Sequence, residues 1–297
     1  MISAILFAVP TIITGFFNNL TFVNFAFYCF LLLAVILYYS SPLRIRKYVL
    51  LTISIAFYAT WGVVQFAFVA VASVTAYVGA ILIEKTESKP KKKLVLFTSV
   101  TVMIVMLLYV KLGKLFFDAK SIIVPLGISY YTFSVIGYLA DVYWGKEKSE
   151  KKFMKFLLFI LYFPKILEGS IEKYRPLADR LFEGHKFDYK QFCFGLQIMV
   201  YGAFKKLVVA DRLVILTNEI FGKESYVNYG GAIVIAGAIF PALQMYADFS
   251  GCMDMALGMS QALGIELRKN FNHPFFSKSA AEFWMRWHIT LGVWFKD

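Results

Sequence analysis

The stretch YVLLTISIAFYATWGVVQFAFVAVASVTAYVGAILI, Tyr48–Ile83, carries no charged residue from end to end. A membrane-crossing helix needs about 20 apolar residues, so this run holds two short helices. Trp61-Gly62 is the expected tight turn between them. Basic links bracket the run: Arg44, Arg46 and Lys47 before it, and Lys85, Lys89, Lys91, Lys92 and Lys93 after it. Short links rich in Lys and Arg stay in the cytoplasm. Two crossings between two such links put both in the cytoplasm and Trp61 outside.

Further runs extend the pattern. Phe22 to Tyr39 reads as a strong spanning helix, and Leu94 to Val110 as an outward crossing. Lys111 to Lys120 is then external. Ile122 to Tyr143 contains Pro125, Gly127 and Gly137, which predict a kinked or re-entrant segment. The next link, Gly145 to Lys155, returns to the cytoplasm. Phe153 to Phe163 has the length of an interfacial or half-membrane helix. Leu167 to Tyr189 is the longest polar region and reads as short amphipathic helices at the membrane surface. Phe192 to Leu216 and Gly230 to Gly264 are apolar, the first broken by Lys205, Lys206, Asp211 and Arg212 and the second by Pro241. Met1 to Phe17 is apolar with no basic leader, which predicts a short first span or re-entrant segment rather than a cleaved signal.

The chain has 297 residues, of which 59% are hydrophobic and 17% charged. Soluble domains carry about 45–50% apolar and about 25% charged residues. The expected class is therefore all-α: a polytopic integral membrane helical bundle in the cell membrane, read as a single domain over 1–297. The net charge of +12 lies in short links between apolar runs, not in the basic stripe of a nucleic-acid-binding fold. Cys29, Cys193 and Cys252 lie within apolar runs and are read as packed membrane thiols. His185, His273 and His288 lack metal-ligand spacing, so no metal is expected. Nucleotide-binding and nucleophile-elbow motifs are absent, so no bound cofactor is expected.

Ionisable groups at membrane depth are costly and are functional candidates. Ser279-Ala-Ala-Glu282 has the form of a capping box, which predicts a helix from Ala280. On a continuous helix Trp284, Trp287, His288 and Leu291 share one face. Glu282 and Arg286 form an i, i+4 pair. His288 is the candidate for chemistry; the alternative is a histidine hydrogen-bonded within the bundle. Asp248 and Asp254 either satisfy nearby bundle groups or line a reaction tunnel. Gly251 and Gly258 permit close helix approach. Lys205, Lys206 and Arg212 are read as a helix-end or interface cluster. It attracts anionic headgroups, or an acidic carrier protein or the phosphates of coenzyme A.

Six segments in order carry a resemblance: Pro125–Phe133, Ile136–Tyr143, Lys205–Arg212, Asp248–Asp254, Asn270–Pro274 and Phe283–Leu291. Together they resemble the membrane-bound O-acyltransferase family, in its cell-surface polymer branch. The resemblance implies a many-helix fold around a central tunnel. An acyl group, acetyl in the first instance, passes from a cytoplasmic donor to an extracellular acceptor. The donor is acetyl-CoA or an acylated carrier protein. The acceptor is a polysaccharide or a partner acetyltransferase. It also implies a catalytic role for His288, with Asp248, Ser250, Asp254, Asn270, Trp284, Arg286 and Trp287 as substrate-binding candidates. A second key histidine is expected further along, and no histidine follows His288, so the chain reads as C-terminally incomplete. His273 stands where the family pattern has arginine. The alternatives are a transporter or channel with Asp248, Asp254 and His288 as a polar path, or a non-catalytic scaffold of a polymer-export complex. No internal repeat of the kind transporters use is visible.

Overall fold

A computed structural model describes residues 20–22, 24–116 and 123–297. The reading of Met1 to Phe17 lies outside the described residues, as does the end of the Lys111 to Lys120 link, whose beginning up to Phe116 is helical. Every regular element among the described residues is helical. Among the described residues four helices are long and apolar enough to cross a membrane: Val63–Lys85, Lys89–Gly113, Tyr189–Phe221 and Gly231–Ala262. The chain is a multi-pass membrane protein. Its contacts divide into two compact units.

The first unit holds residues up to Leu167, Ile171–Phe187 and Trp294–Asp297. Helix α1, Phe25–Ser40, has 16 residues. It is shorter than the expected span, because Asn24 N–H turns back to the Thr21 carbonyl and the helix begins only after that turn. Helices α2, Arg46–Ala59, and α3, Val63–Lys85, flank the predicted turn. Gly62 there takes φ +111°, a conformation that favours glycine. Helix α4 is Lys89–Phe116 and α5 is Ile128–Tyr143. Gly127 precedes α5 at φ +68°, and a Cβ at that position would lie 2.3 Å from the Ile166 carbonyl oxygen. Lys151 and Ser149 both reach Glu84, and Tyr77 donates to the Lys151 carbonyl at 2.7 Å. The link after α3 and the link after α5 therefore meet at one end of this unit, as the topology requires.

Helices α6, Phe153–Leu161, and α7, Phe163–Glu168, complete a half-length segment. Phe156 and Leu158 through Phe163 are fully buried. Rings of Tyr138, Phe156, Phe159 and Tyr174 pack around α6 at centroid distances of 4.7–5.8 Å. Lys165 is 2% exposed, its Nζ makes no hydrogen bond, and it sits 3.9 Å over the Phe159 ring. Helix α8, Tyr174–Glu183, is amphipathic as expected, burying Leu177, Ala178 and Leu181. The stretch before it is not a surface segment, since Ser170, Ile171 and Glu172 are buried.

The second unit holds Glu168–Ser170 and Asp188–Val293. Its first helix is continuous in direction but changes pitch. Helix α9, Tyr189–Ala203, passes into a π-helical stretch, Phe204–Ala210, and then α10, Asp211–Phe221. Helix α11, Gly231–Ala262, runs through Pro241 without ending. A Cβ on Gly195 would lie 2.6 Å from the Gly258 carbonyl oxygen, and one on Gly202 2.6 Å from that of Gly251. Matched glycines on the two helices thus bring their backbones together, the packing role expected of Gly251 and Gly258. A loop, a 3₁₀ turn at Pro274–Phe276 and two short helices follow: α12, Ala280–Arg286, and α13, Ile289–Lys296.

Candidate active site

The predicted cap forms. Ser279 Oγ accepts from Glu282 N–H at 3.1 Å, and the Glu282 carboxylate accepts from Lys278 N–H at 2.7 Å. Arg286 Nη2 donates to Glu282 at 2.5 Å. The helix then stops seven residues in, where a continuous one was expected. Trp287 is extended, at φ −102° and ψ 128°, and His288 takes φ +46°. The shared face of Trp284, Trp287, His288 and Leu291 therefore does not exist. Trp284 is 65% exposed. Trp287 turns into an aromatic cluster, stacked on Phe283 at 5.4 Å and edge-on to Phe271 at 5.1 Å.

The break follows from where the backbone donors go. A helix would send Ile289 N–H and Thr290 N–H four residues back. Instead Ile289 N–H donates to the Asn270 carbonyl at 2.9 Å, and Thr290 N–H to Asn270 Oδ1 at 3.0 Å. The Arg286 carbonyl is taken by Asn272 N–H at 3.0 Å. Asn270 itself is buried, with Oδ1 also accepting from the Thr290 hydroxyl at 2.6 Å and Nδ2 reaching Met253 Sδ at 3.4 Å.

His288 is half-buried, and the Phe249 ring meets it edge-on at 5.0 Å. Its Nδ1 is buried and has no hydrogen-bond partner. Burial lowers the imidazole below its ordinary value, which favours the neutral form. A non-glycine residue at positive φ is uncommon, and such strain collects at functional sites.

Asp248 and Asp254 lie on α11 and are ion-paired to the preceding helix. Lys205 Nζ is 2.6 Å from Asp254, and Lys206 Nζ is 2.7 Å from Asp248 and 2.9 Å from Asp211. Lys205 and Lys206 sit in the π-helical stretch and pair with α11, so of the two readings, helix end or interface, they mark a helix interface within the unit. The i→i+5 pitch brings successive side chains closer in azimuth, so two adjacent lysines reach one partner helix. Ser250, between the two acids, is buried. Glu168 meets Cys252 by a hydrogen bond, and burial raises its carboxyl. The sequence reading assigned Glu168 no role; a lone acid at the end of an apolar segment was the available signal.

A cleft of about 700 Å³ opens within this unit. Tyr201, Tyr246, Phe271 and Phe275 wall it, and its polar groups include Lys205, Asp254, Gln261, Lys269 and His273. Phe271 also packs on Phe249 at 5.0 Å, which places His288 one aromatic layer behind the wall. Of the expected residues, Asp254 lines the cleft and His288, Trp287 and Asn270 back it. Trp284 is exposed on α12, and Arg286 is held by Glu282 of the same helix. Among the described residues no group of three His, Cys, Asp or Glu side chains is placed to hold a metal.

Residues 150–297 match the model of the membrane-bound O-acyltransferase family. The chain is 33% identical over 279 residues to a probable alginate O-acetylase of Pseudomonas fluorescens, covering 92% of this chain and 55% of the relative. It is 27% identical over 297 residues to a peptidoglycan O-acetyltransferase of Helicobacter pylori, covering 88% and 56%. It is 34% identical over 190 residues to a teichoic acid D-alanyltransferase of Bacillus subtilis, covering 58% and 44%. The chain spans about half the length of the curated relatives it matches. The chain belongs to the membrane-bound O-acyltransferase family.

Proposed function

We propose that the full-length protein is a membrane O-acyltransferase that moves an acetyl group from a cytoplasmic thioester donor, through a tunnel, to a cell-surface polysaccharide or a partner acetyltransferase. Acetyl-CoA or an acylated carrier protein is the donor. The observation that carries this reading is His288, held at positive φ with a buried Nδ1 that makes no hydrogen bond. A neutral imidazole accepts a proton at one nitrogen. In the reaction the acceptor oxygen forms the ester bond as the C–S bond breaks. The hydroxyl proton passes to the imidazole and then to the departing thiolate.

The relatives support the chemistry: two are named as O-acetylating enzymes and one as a D-alanyltransferase. The rival polar path for ions needs available carboxylates. Asp248 and Asp254 are each ion-paired to a lysine, which favours a structural role for both. The test is the ester content of envelope polymers in a strain lacking the full-length gene. Ester loss restored by the gene is expected; unchanged esters in the deletion strain would overturn the proposal.

A further inference from the structure

Asn270 is 1% exposed, and both of its acceptors serve the turn that carries His288. Its main-chain carbonyl takes Ile289 N–H, and its Oδ1 takes Thr290 N–H and the Thr290 hydroxyl. The two backbone donors that follow His288 thus end on one residue, 20 positions upstream of Thr290. These are the donors that would close the helical turn across His288 if they bonded four residues back. Diverting them leaves His288 at φ +46°, a conformation held only where surrounding contacts fix it. The Nδ2 contact with Met253 Sδ at 3.4 Å ties the same side chain to α11, the helix that presents Phe249 to the imidazole. Asn270 therefore connects the wall around His288 to the backbone that aims it.

We propose that Asn270 is a positioning residue: it touches no reacting atom, and it sets the direction of the His288 imidazole by diverting the backbone of Ile289 and Thr290. This rests on the reading of His288 as the proton acceptor, and it names the residue on which that role depends. An amide is suited to the task, because Oδ1 accepts two bonds while Nδ2 donates a third. Asp at this position keeps an acceptor for both bonds, loses the contact to Met253 and puts a carboxyl group in a buried site.

The test uses the full-length protein in membranes, with two readouts on Asn270→Ala, Asn270→Asp and Thr290→Val. The first is kcat and donor KM for acyl transfer at equal amounts of inserted protein. Asn270→Ala should lower kcat at least tenfold with donor KM within twofold. Thr290→Val, which keeps the fold's backbone bond and removes only the hydroxyl bond, should lower kcat about threefold. Asn270→Asp should keep kcat within about threefold of wild type. In a His288→Ala background Asn270→Ala should cause no further loss. The second readout is modification of His288 by diethyl pyrocarbonate, followed by mass spectrometry. Labelling should rise at least threefold in Asn270→Ala, because the buried Nδ1 edge is released. Unchanged labelling in Asn270→Ala and Thr290→Val overturns the positioning role whatever the chemistry. Raised labelling with unchanged kcat keeps the clamp and removes His288 from the reaction. A rise in donor KM at constant kcat also overturns the proposal.

Discussion

Lys205 Nζ lies 2.6 Å from Asp254 Oδ2, joining a π-helical turn to the long helix that follows it. The Lys206–Asp248 pair, at 2.7 Å, repeats the arrangement one residue along. Removing one member of a buried pair strands the other charge, at about 3–5 kcal/mol where burial is complete. Both pairs here are partly exposed, with lysine side chains 16% and 22% accessible, so ~2 kcal/mol is expected. Asp254→Asn and Asp248→Asn should lower the thermal midpoint in detergent while residual folded protein keeps most of its transfer rate. Pairing Asp254→Leu with Lys205→Met should recover much of the loss. Additive losses in the double variant would show that the contact carries no coupling.

The glycine contact between α9 and α11 gives a second prediction. A Cβ on Gly258 would sit 2.5 Å from the Gly195 carbonyl oxygen, a backbone atom that has no room to swing aside. Gly258→Ala should force the helices apart at a cost of about 1–3 kcal/mol, and Gly258→Val should cost more. Thermal unfolding of the two variants checks the order. Wild-type stability in Gly258→Val would contradict the close approach.

Sequence periodicity and local motifs were enough for the two helices around the Trp61-Gly62 turn and for the start of α12 at the Ser279 cap. Those features depend on residues within a few positions of one another. The break at Trp287–His288 was not legible, because no Gly or Pro marks it. Its cause lies in Asn270, whose backbone and side chain outcompete the helix for two donors. The lysine–aspartate pairs were equally hidden, with 49 residues between Lys205 and Asp254. Charge alone left Asp248 and Asp254 without an assigned partner. Matching two acids in one apolar run against two lysines in another was the usable signal. Lys165 had no assigned role, and only packing shows it enclosed.

That enclosed lysine has a pH consequence. Burial brings the Lys165 ammonium down to about 7, with Glu172 opposing the change. The folded state then binds the proton less well than the unfolded chain. Stability from this group should rise as pH climbs from about 7 towards the ordinary lysine value of about 10.4. Lys165→Met should raise the thermal midpoint at pH 7 and flatten the gain between pH 7 and 9. An unchanged pH slope in the variant would show that Lys165 does not titrate in this window.

The acid side of the pH–rate profile tests the protonation state of His288. Burial lowers its imidazole, so kcat/KM should fall only below the ordinary histidine value of about 6.5. The neutral form, the one able to accept a proton, is then already dominant at neutral pH. An acid limb centred above about 6.5 would contradict a depressed imidazole at this position.

The most direct measurement is the rate of labelled acetyl transfer from a thioester donor to the acceptor polymer, in membranes holding equal amounts of the full-length protein or its His288→Ala variant. General acid–base catalysis contributes about 10²–10⁴-fold, so the variant should be slower by at least 10² while its insertion is unchanged. A His288→Ala protein that transfers the acetyl group at a near-normal rate would contradict the assignment of His288 as the base.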